Sequence, residues 1–524
     1  MPRSFAHGRH AGVLVPLFSI PSAGSWGIGE IPDLARCARW LDQAGFDFVQ
    51  LLPLNEMGAG QNSPYSAMTA MALDPVYIAP GEMPDLAALG GEAALRPADR
   101  DCLEAARRAP SIGYADVREM KMRAFRTAFD AFVRQDWERG SARGAALRAF
   151  IDAERWWLDD YTLFRALHAR EGDRHWREWP AELRERDPAA LAVARADESR
   201  EILFRAYLQW TAAEQWARAR RACGAIGVFG DFPFMVSGDS ADVWSRQQDF
   251  RLEASVGVPP DAFSETGQDW GFPAYRWPEI AAGGYAWIDA RARRSAALYD
   301  GYRVDHLVGF YRTFVREPDG SSHFVPPDEP SQLAQGERIL RILQDTGTRI
   351  IAEDLGVVPD FVRASLARLG VPGYRVLRWE REWHVEGQPF RDPAAWPAAS
   401  VATSGTHDTE TLAEWWETAP AEERAAVMQI PGLRAQPGGS DARFSGDVRD
   451  ALLDCLLASG ADLAILPIQD VFGWRDRINT PGRISGDNWT WRLPWPVEDL
   501  TSQPEARQRA AFTRARAERY GRVS

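Results

Sequence analysis

The segment YDGYRVDHL, residues 299–307, begins as a buried β-strand and ends in charged side chains. Arg303, Asp305 and His306 fall within four positions, where a strand of a sheet interior would carry apolar residues. Arg303 and Asp305 are two positions apart, so we expect both side chains on the same face of the strand. A buried strand with this ending is typical of one whose carboxyl end reaches a functional site.

Seven further apolar runs of similar length occur along the chain. The eight strand candidates are residues 12–20, 46–54, 226–236, 299–307, 349–355, 374–380, 400–408 and 462–470. Segments with helical periodicity separate several of them, and a last one follows the eighth: 31–45, 332–347, 359–370, 445–460 and 504–521. Apolar strands that alternate with helices indicate a parallel sheet covered on both faces. Eight such units predict an α/β fold of the (β/α)8 TIM-barrel type.

The long interval between the second and third strands differs from the others. Residues 116–134 and 201–216 carry large apolar side chains at i, i+4 and i+7, which indicates amphipathic helices. We therefore predict a large α-helical insertion over residues 81–222. The barrel would then be formed by residues 1–80 and 223–524.

Composition excludes several classes of function. The net charge of −13 argues against binding to nucleic acid or to an anionic membrane. The four cysteines are far apart and form no metal-binding or disulfide pattern. No apolar stretch resembles a signal peptide or a transmembrane helix, so we expect a cytoplasmic protein. The chain contains 22 tryptophans, which serve either core packing or stacking on flat apolar ligands such as sugars.

Acidic residues stand at the ends of several predicted strands. They are Asp231, Asp305, Glu353, Asp354, Asp408 and Asp470. Any single one is explained as the N-cap of the next helix, and Asp354 and Asp470 fit that role. Three or more at one end of a barrel are harder to explain in this way, because clustered like charges cost stability.

A carboxylate cluster without a His or Cys metal set suits the cleavage of glycosidic bonds. In the retaining form of this chemistry one carboxylate attacks the anomeric carbon while another protonates the leaving oxygen. Arg303, placed beside Asp305, would favour the ionised form that a nucleophile requires.

At these positions the chain resembles the amylomaltase, or 4-α-glucanotransferase, family of the α-amylase clan. The motifs that carry the resemblance are NSPYSAM (62–68), GDFPFMVSGDSADVW (230–244), GVPPDAFSETGQDWGFPAYRW (257–277), YRVDHLVGF (302–310), IIAEDLGVVP (350–359), GTHDTET (405–411) and INTPG (478–482). Single motifs of this length are weakly specific, but the ordered set spans almost the whole predicted barrel.

The resemblance implies a role for each matched position. Asp305 matches the nucleophile, Glu353 the general acid/base and Asp408 the carboxylate that stabilises the transition state. The positions matched to sugar binding or to support of the donor site are Ser63, Tyr65, Asp231, Gln268, Trp270, Arg303, His407 and Asn479. The implied substrates are α-1,4-glucans and maltooligosaccharides, with glucose as an acceptor, and the implied reaction needs no cofactor and no metal.

Some positions depart from the family pattern. Leu307 and Val308 stand where Phe-Arg is common, and Phe272 stands where Asn is common. Arg312 either replaces the missing guanidinium or forms a structural salt bridge. Two other functions stay open from the residues alone: an α-1,4-glucan hydrolase with the same carboxylates, and an inactive glucan-binding protein, which would be expected to lack Asp305 or Glu353.

Overall fold

The computed structural model of the protein describes residues 5, 8–58, 60–260, 267–434, 443–483 and 485–523. Its strands, in chain order, are β1 (His10–Leu14), β2 (Phe48–Gln50), β3 (Gly227–Phe232), β4 (Phe250–Val258), β5 (Gln268–Tyr275), β6 (Gly301–Val304), β7 (Thr313–Arg316), β8 (Ser322–Val325), β9 (Arg349–Ala352), β10 (Gly373–Val376), β11 (Ser400–Thr403) and β12 (Leu463–Pro467).

Eight of these strands form a closed parallel barrel. Their order around it is β1-β12-β11-β10-β9-β6-β3-β2, and each of the eight lies within or overlaps one of the predicted apolar runs. The predicted (β/α)8 barrel is therefore confirmed. The first run was predicted to extend to residue 20, but β1 ends at Leu14 because Pro16 follows and Leu17–Ser19 forms a 3-10 turn.

Helices surround the barrel and fill the long interval after β2. They are α1 (Asp33–Gln43), α2 (Pro84–Ala87), α3 (Pro97–Arg108), α4 (Tyr114–Phe132), α5 (Ala142–Arg170), α6 (Ala181–Arg184), α7 (Pro188–Asp197), α8 (Ser199–Ala222), α9 (Ala241–Ser245), α10 (Trp277–Ala282), α11 (Ala286–Leu298), α12 (Val308–Tyr311), α13 (Glu329–Gln344), α14 (Asp360–Leu369), α15 (Leu412–Thr418), α16 (Ala421–Val427), α17 (Gly446–Ala458), α18 (Ile468–Phe472) and α19 (Pro504–Arg519). Short 3-10 segments join several of them, and a π-turn at Val133–Trp137 follows α4. Among the described residues, none of these helices combines the length and apolar character needed to cross a bilayer.

The interval between β2 and β3 is helical, with α2 to α8 in sequence. Its long helices pack through aromatic side chains at the predicted helical spacing. Phe129 of α4 lies 5.2 Å from the ring of Phe204 and 5.5 Å from that of Tyr207, both on α8. The division of the chain at residues 80 and 222 into separate units stays a prediction.

A second sheet stands beside the barrel and was not expected from the sequence. It is antiparallel, with the order β5-β4-β7-β8, and its register shifts twice between β4 and β5. The side chains of β4 and β5 are partly exposed in irregular order, so neither strand shows the clean alternation that signals a half-buried strand. This sheet matters for function because β5 carries Gln268 and Trp270.

Aromatic rings fill the amino-terminal part of the barrel, and glycines make room for them. The rings of Phe48 and Phe229 stack with centroids 4.3 Å apart, and Phe5 meets Phe229 edge-on. A Cβ on Gly12 would lie 2.4 Å from Phe48, and one on Gly301 would lie 2.7 Å from Phe229. These strand glycines are thus required by packing.

Substitution of Gly301 by alanine tests this packing. The added methyl group must displace the buried ring of Phe229, so Gly301→Ala should lower the free energy of unfolding by about 1–3 kcal/mol. Gly81→Ala is the matched control, because nothing lies within 4 Å of a Cβ at that position. Urea unfolding followed by tryptophan fluorescence measures both changes, and equal stability of the two variants would contradict the packing argument.

Candidate active site

Four carboxylates meet at the carboxyl end of the barrel. Asp231 lies in β3, Asp305 directly follows β6, and Glu353 directly follows β9. Asp408 lies in the loop after β11. Strands of a parallel barrel all point the same way, so these neighbouring strand ends bring residues distant in sequence to one face.

Arg303 occupies the centre of the cluster. It is the register partner of Asp231 on the adjacent strand β3. Its Nη1 lies 2.8 Å from Asp231 Oδ2, and its Nη2 lies 2.9 Å from Asp305 Oδ1. The Arg303 side chain is only 6% exposed. One buried guanidinium therefore fixes two carboxylates, and the expected pairing of Arg303 with Asp305 on one face of the strand is present.

Asp231 lies behind Arg303. Its side chain has no exposed surface, and its Oδ2 also accepts a hydrogen bond of 2.8 Å from the hydroxyl group of Tyr65. Burial raises the pKa of Asp231 to about 6; Arg303 opposes this rise, and the neighbouring charge of Asp305 adds to it. Asp231 thus anchors Arg303 and Tyr65 from beneath the site.

Glu353 is held beside Asp305 by backbone donors. The amide of His306 donates to Glu353 Oε2 at 2.8 Å, and the amide of Leu355 donates to Oε1 at 3.2 Å. Burial raises the pKa of Glu353 to about 7, and repulsion from Asp305 adds to the rise against the opposing charge of Arg303. A carboxyl group with this pKa is suited to exchange a proton near neutral pH.

Asp408 has the opposite electrostatic environment. Its Oδ1 accepts a hydrogen bond of 2.6 Å from Asn479 Nδ2, and its Oδ2 lies 3.2 Å from Nε2 of His407. Burial alone would raise its pKa, but the interactions with His407 and Asn479 outweigh it and lower the pKa of Asp408 to about 2. The carboxylate is therefore a permanent anion, and its side chain is 42% exposed.

Three aromatic rings form one wall of the site. Tyr65 stacks on His407 with centroids 5.4 Å apart, and Trp489 lies 5.7 Å from His407. Ser63 supports this wall by accepting a 3.4 Å hydrogen bond from the amide of Tyr65. Trp489 was missed from the sequence; the available signal was the aromatic cluster NWTW at 488–491, close to Asn479.

The second sheet supplies another wall. Trp270 meets the ring of His306 edge-on at 4.7 Å, and its Nε1 donates to Gln268 Oε1 at 3.3 Å. Gln268, Trp270, His306 and Glu353 all line one cavity of about 250 Å³. Phe272 lies on the same strand and packs against the core beneath it. Residues 261–266 of this motif lie outside the described residues.

The two acidic residues expected as helix N-caps have other partners. Asp354 accepts a hydrogen bond of 2.7 Å from the backbone amide of Tyr374 on β10. Asp470 lies within α18 and accepts a 2.6 Å bond from the amide of Leu412, the first residue of α15. Both are therefore structural, but neither caps the helix that follows it in sequence.

With this geometry in view, comparison with known proteins identifies the family. A sequence profile described as 4-alpha-glucanotransferase matches residues 15–498. The chain belongs to this family. The 4-alpha-glucanotransferase of Thermus thermophilus is 34% identical over 97% of this chain and 98% of its own length. That of Chlamydia pneumoniae is 32% identical over 93% of this chain and 92% of its own length.

Solved structures agree. The amylomaltase of Streptococcus agalactiae in complex with acarbose superposes with a TM-score of 0.81 at 26% identity, over 98% of this chain and 100% of that one. The amylomaltase of Corynebacterium glutamicum shares the fold, with a TM-score of 0.80 at 23% identity, over 96% of this chain and 75% of that one. The sequence resemblance to amylomaltases is thus confirmed, and the chain is a 4-α-glucanotransferase-family enzyme.

In this member of the 4-α-glucanotransferase family, neighbouring carboxyl groups of the site have different pKa values. The pKa of Glu353 is raised to about 7, whereas that of Asp408 is lowered to about 2. Groups whose environments push their pKa values apart are suited to different roles in acid–base chemistry.

The raised pKa of Glu353 predicts a pH-dependent stability difference. A carboxyl group with a raised folded-state pKa stabilises the protein fully below its unfolded value of about 4.5, and this stability is lost as the pH rises through about 7. Relative to the wild type, Glu353→Gln should therefore gain about 1–3 kcal/mol in unfolding free energy between pH 5 and pH 8. Urea unfolding at both pH values measures the gain.

Asp99→Asn is the control for this experiment. The hydrogen bond from Arg96 lowers the pKa of Asp99 below the unfolded value of 3.8, so its contribution to stability is fully present at both pH values. The difference between Asp99→Asn and the wild type should then be the same at pH 5 and pH 8. If the difference in unfolding free energy between Glu353→Gln and the wild type is also the same at pH 5 and pH 8, the raised pKa of Glu353 is refuted.

Proposed function

We propose that the enzyme transfers α-1,4-glucan segments from a donor glucan to the 4-hydroxyl group of glucose or of a maltooligosaccharide. The reaction would proceed by double displacement with retention of the anomeric configuration. The observation that carries this proposal is the pairing of Asp305, fixed by Arg303, with the protonatable Glu353 beside it. The first carboxyl group contacts a guanidinium, and the second is able to carry a proton at neutral pH.

In the first step, an oxygen of Asp305 attacks the anomeric carbon of the donor sugar. The bond from that carbon to the leaving glucan breaks, and the proton of Glu353 passes to the departing oxygen. The products of this step are a glucanyl ester on Asp305 and a shortened glucan. Retaining chemistry requires that the two carboxyl groups lie close together, and the hydrogen bond from the amide of His306 to Glu353 supports this proximity.

In the second step, the roles reverse. Glu353, now ionised, takes the proton from the 4-hydroxyl group of the acceptor while the oxygen of that group attacks the anomeric carbon. The ester bond to Asp305 breaks, which restores both carboxyl groups to their starting states. No atom is lost or gained overall, because the glucanyl group that leaves the donor is the one that the acceptor receives.

Asp408 would stabilise the positive charge that develops on the donor sugar. Its lowered pKa keeps it anionic throughout the reaction, and a fixed anion near a developing cation lowers the barrier. Arg303 and His407 would position these carboxylates. The residues proposed to contact sugar rings or hydroxyl groups are Ser63, Tyr65, Gln268, Trp270 and Asn479, whereas contact of the buried Asp231 with sugar stays a prediction.

Two alternatives from the sequence are less well supported. An inactive glucan-binding protein would not need Asp305, Glu353 and Asp408, all of which are present in one cluster. A hydrolase would use the same carboxylates with water as the second nucleophile. The relatives named 4-alpha-glucanotransferase favour transfer over hydrolysis.

A cytoplasmic location and residues 81–222 as an inserted unit also stay proposals.

Products formed from maltotriose distinguish transfer from hydrolysis. Transfer should give glucose together with chains longer than maltotriose, because the glucanyl group moves to a second substrate molecule. Hydrolysis gives only shorter products. Chromatographic separation by chain length at early times measures this, and a product mixture without any longer chain would exclude the transferase.

Amide variants of the two central carboxylates separate their roles. Glu353→Gln cannot donate a proton, so turnover of maltotriose should fall about 10²–10⁴-fold, while α-glucosyl fluoride, whose leaving group needs no proton, should still react with the enzyme. Asp305→Asn lacks the nucleophile and should turn over neither substrate. Glu410→Gln, which changes a nearby carboxylate that is 46% exposed, is the control and should retain activity.

With α-glucosyl fluoride, Glu353→Gln should accumulate a covalent glucosyl adduct on Asp305, because the second step lacks its base. Mass spectrometry of the digested protein locates the adduct. An adduct on Asp231 or Asp408 would contradict the assignment of roles. A product of inverted anomeric configuration would exclude the two-step mechanism altogether.

A further inference from the structure

Beyond the catalytic carboxylates, one cationic side chain faces the site without a charged partner. Arg312 lines the same 250 Å³ cavity as Gln268, Trp270, His306 and Glu353. We call this cavity the acceptor-side pocket. In the described part of the chain, no carboxylate lies within 4 Å of Arg312, so the salt bridge considered from the sequence is not found. Its Nε is buried without a hydrogen-bond partner.

The lack of an anion distinguishes Arg312 from the other arginines around the site. Arg303 contacts two carboxylates, and Arg378 lies 3.0 Å from Glu410. Burial alone lowers the pKa of Arg312, with no carboxylate to offset it. The buried Nε of Arg312 is costly, since this donor loses water without gaining a partner. A ligand in the cavity would supply the missing acceptor.

Arg312 is held in place by its neighbours, independently of any ligand. Its backbone amide donates to the carbonyl of Val308 at 2.9 Å, which closes the turn of α12. The guanidinium lies 4.2 Å from the ring centroid of Phe324 on β8, a cation–π distance. The ring of Phe324 packs in turn against Phe314 on β7 at 5.2 Å. The guanidinium is therefore preorganised, and ligand binding need not order it.

The position of Glu353 identifies which sugar would meet Arg312. In the proposed reaction, Glu353 exchanges its proton with the oxygen that joins the donor sugar to the leaving glucan, and later with the acceptor hydroxyl. A pocket that Glu353 lines therefore receives the sugar on the far side of that oxygen. Its volume is slightly below the ~300–1,000 Å³ of pockets for drug-sized ligands, which suits a small sugar.

We propose that Arg312 donates hydrogen bonds to hydroxyl groups of the acceptor sugar in the acceptor-side pocket and thereby sets the affinity of the enzyme for acceptors. This inference rests on the proposed transferase function and identifies one part of its binding site. Sugar hydroxyl groups are neutral acceptors, so they satisfy the guanidinium without placing a second negative charge beside Glu353. A nearby anion would raise the pKa of Glu353 further and make it a weaker acid in the first step.

The experiment uses α-glucosyl fluoride as the donor, because its leaving group is too small to occupy the pocket as a sugar would. Maltose is the acceptor, and its concentration is varied. Arg312→Met replaces arginine with an unbranched apolar side chain and so removes the hydrogen-bond donors of the guanidinium. It should raise the KM for maltose about 10–100-fold, as expected for the loss of hydrogen bonds from a charged group, with kcat at saturating maltose changed less than about threefold.

The rate of α-glucosyl fluoride hydrolysis without an added acceptor distinguishes acceptor binding from a structural role, because a structural defect would also lower this rate. It should be unchanged in Arg312→Met, since that reaction leaves the pocket without sugar. Arg312→Lys, which keeps a cation with donors, should give a KM between those of the wild type and Arg312→Met. Arg316→Met is the matched control, because Arg316 lies on β7 and lines a different cavity; it should leave the KM for maltose unchanged.

The outcomes separate the inference from the function on which it rests. If the wild type forms no transfer product with maltose, the transferase proposal fails. If the wild type transfers and Arg312→Met keeps the wild-type KM for maltose, the role of Arg312 is refuted. A loss of fluoride hydrolysis that equals the loss of transfer, in Arg312→Met and Arg312→Lys alike, also refutes it, because the substitution then acts on the donor side.

Discussion

The contact of one buried guanidinium with two carboxylates determines the layout of the candidate active site. Arg303 lies between Asp231 and Asp305, 2.8 Å from the first and 2.9 Å from the second. Four acidic groups gathered at one end of a barrel repel one another, and each loses solvation on burial. Removal of the guanidinium would leave a buried carboxylate without a cation, which is strongly destabilising. The barrel makes the contact possible, because β3 and β6 are neighbours and place Asp231 opposite Arg303.

The remaining electrostatics follow from whether burial or the neighbouring donors and cations dominate at each carboxyl group. At Glu353 burial outweighs the opposing charge of Arg303 and the backbone hydrogen bond from His306, so its pKa rises to about 7. Asp408 contacts His407 and Asn479, so its pKa falls to about 2 although burial opposes this. The same residue chemistry thus yields one proton carrier and one permanent anion.

Much of the fold was predictable because the barrel strands are buried on both faces. Apolar runs such as that around Ile351 stand out without any alternation, and the acidic strand ends indicated the face of the barrel where the carboxylates meet. The antiparallel sheet of β4, β5, β7 and β8 was not predictable, because its strands are short or irregularly buried and the register shifts within β4. The contact of Trp489 with His407 was equally hidden, since the two are about eighty residues apart and meet only through tertiary packing.

The missed sheet explains how the catalytic strand is connected to the pocket beside it. After Asp305 the chain forms the single turn of α12 and enters β7 at Thr313, so Arg312 follows the proposed nucleophile by one short rigid segment. The hydroxyl group of Thr313 donates to the carbonyl of Gly309 and accepts from Trp277, which fixes this segment from below. Strand β7 then pairs with β4, which pairs with β5 and Trp270. Changes on the sheet would therefore alter the pocket wall, whereas Arg303 and Asp231 hold Asp305 through a separate set of contacts.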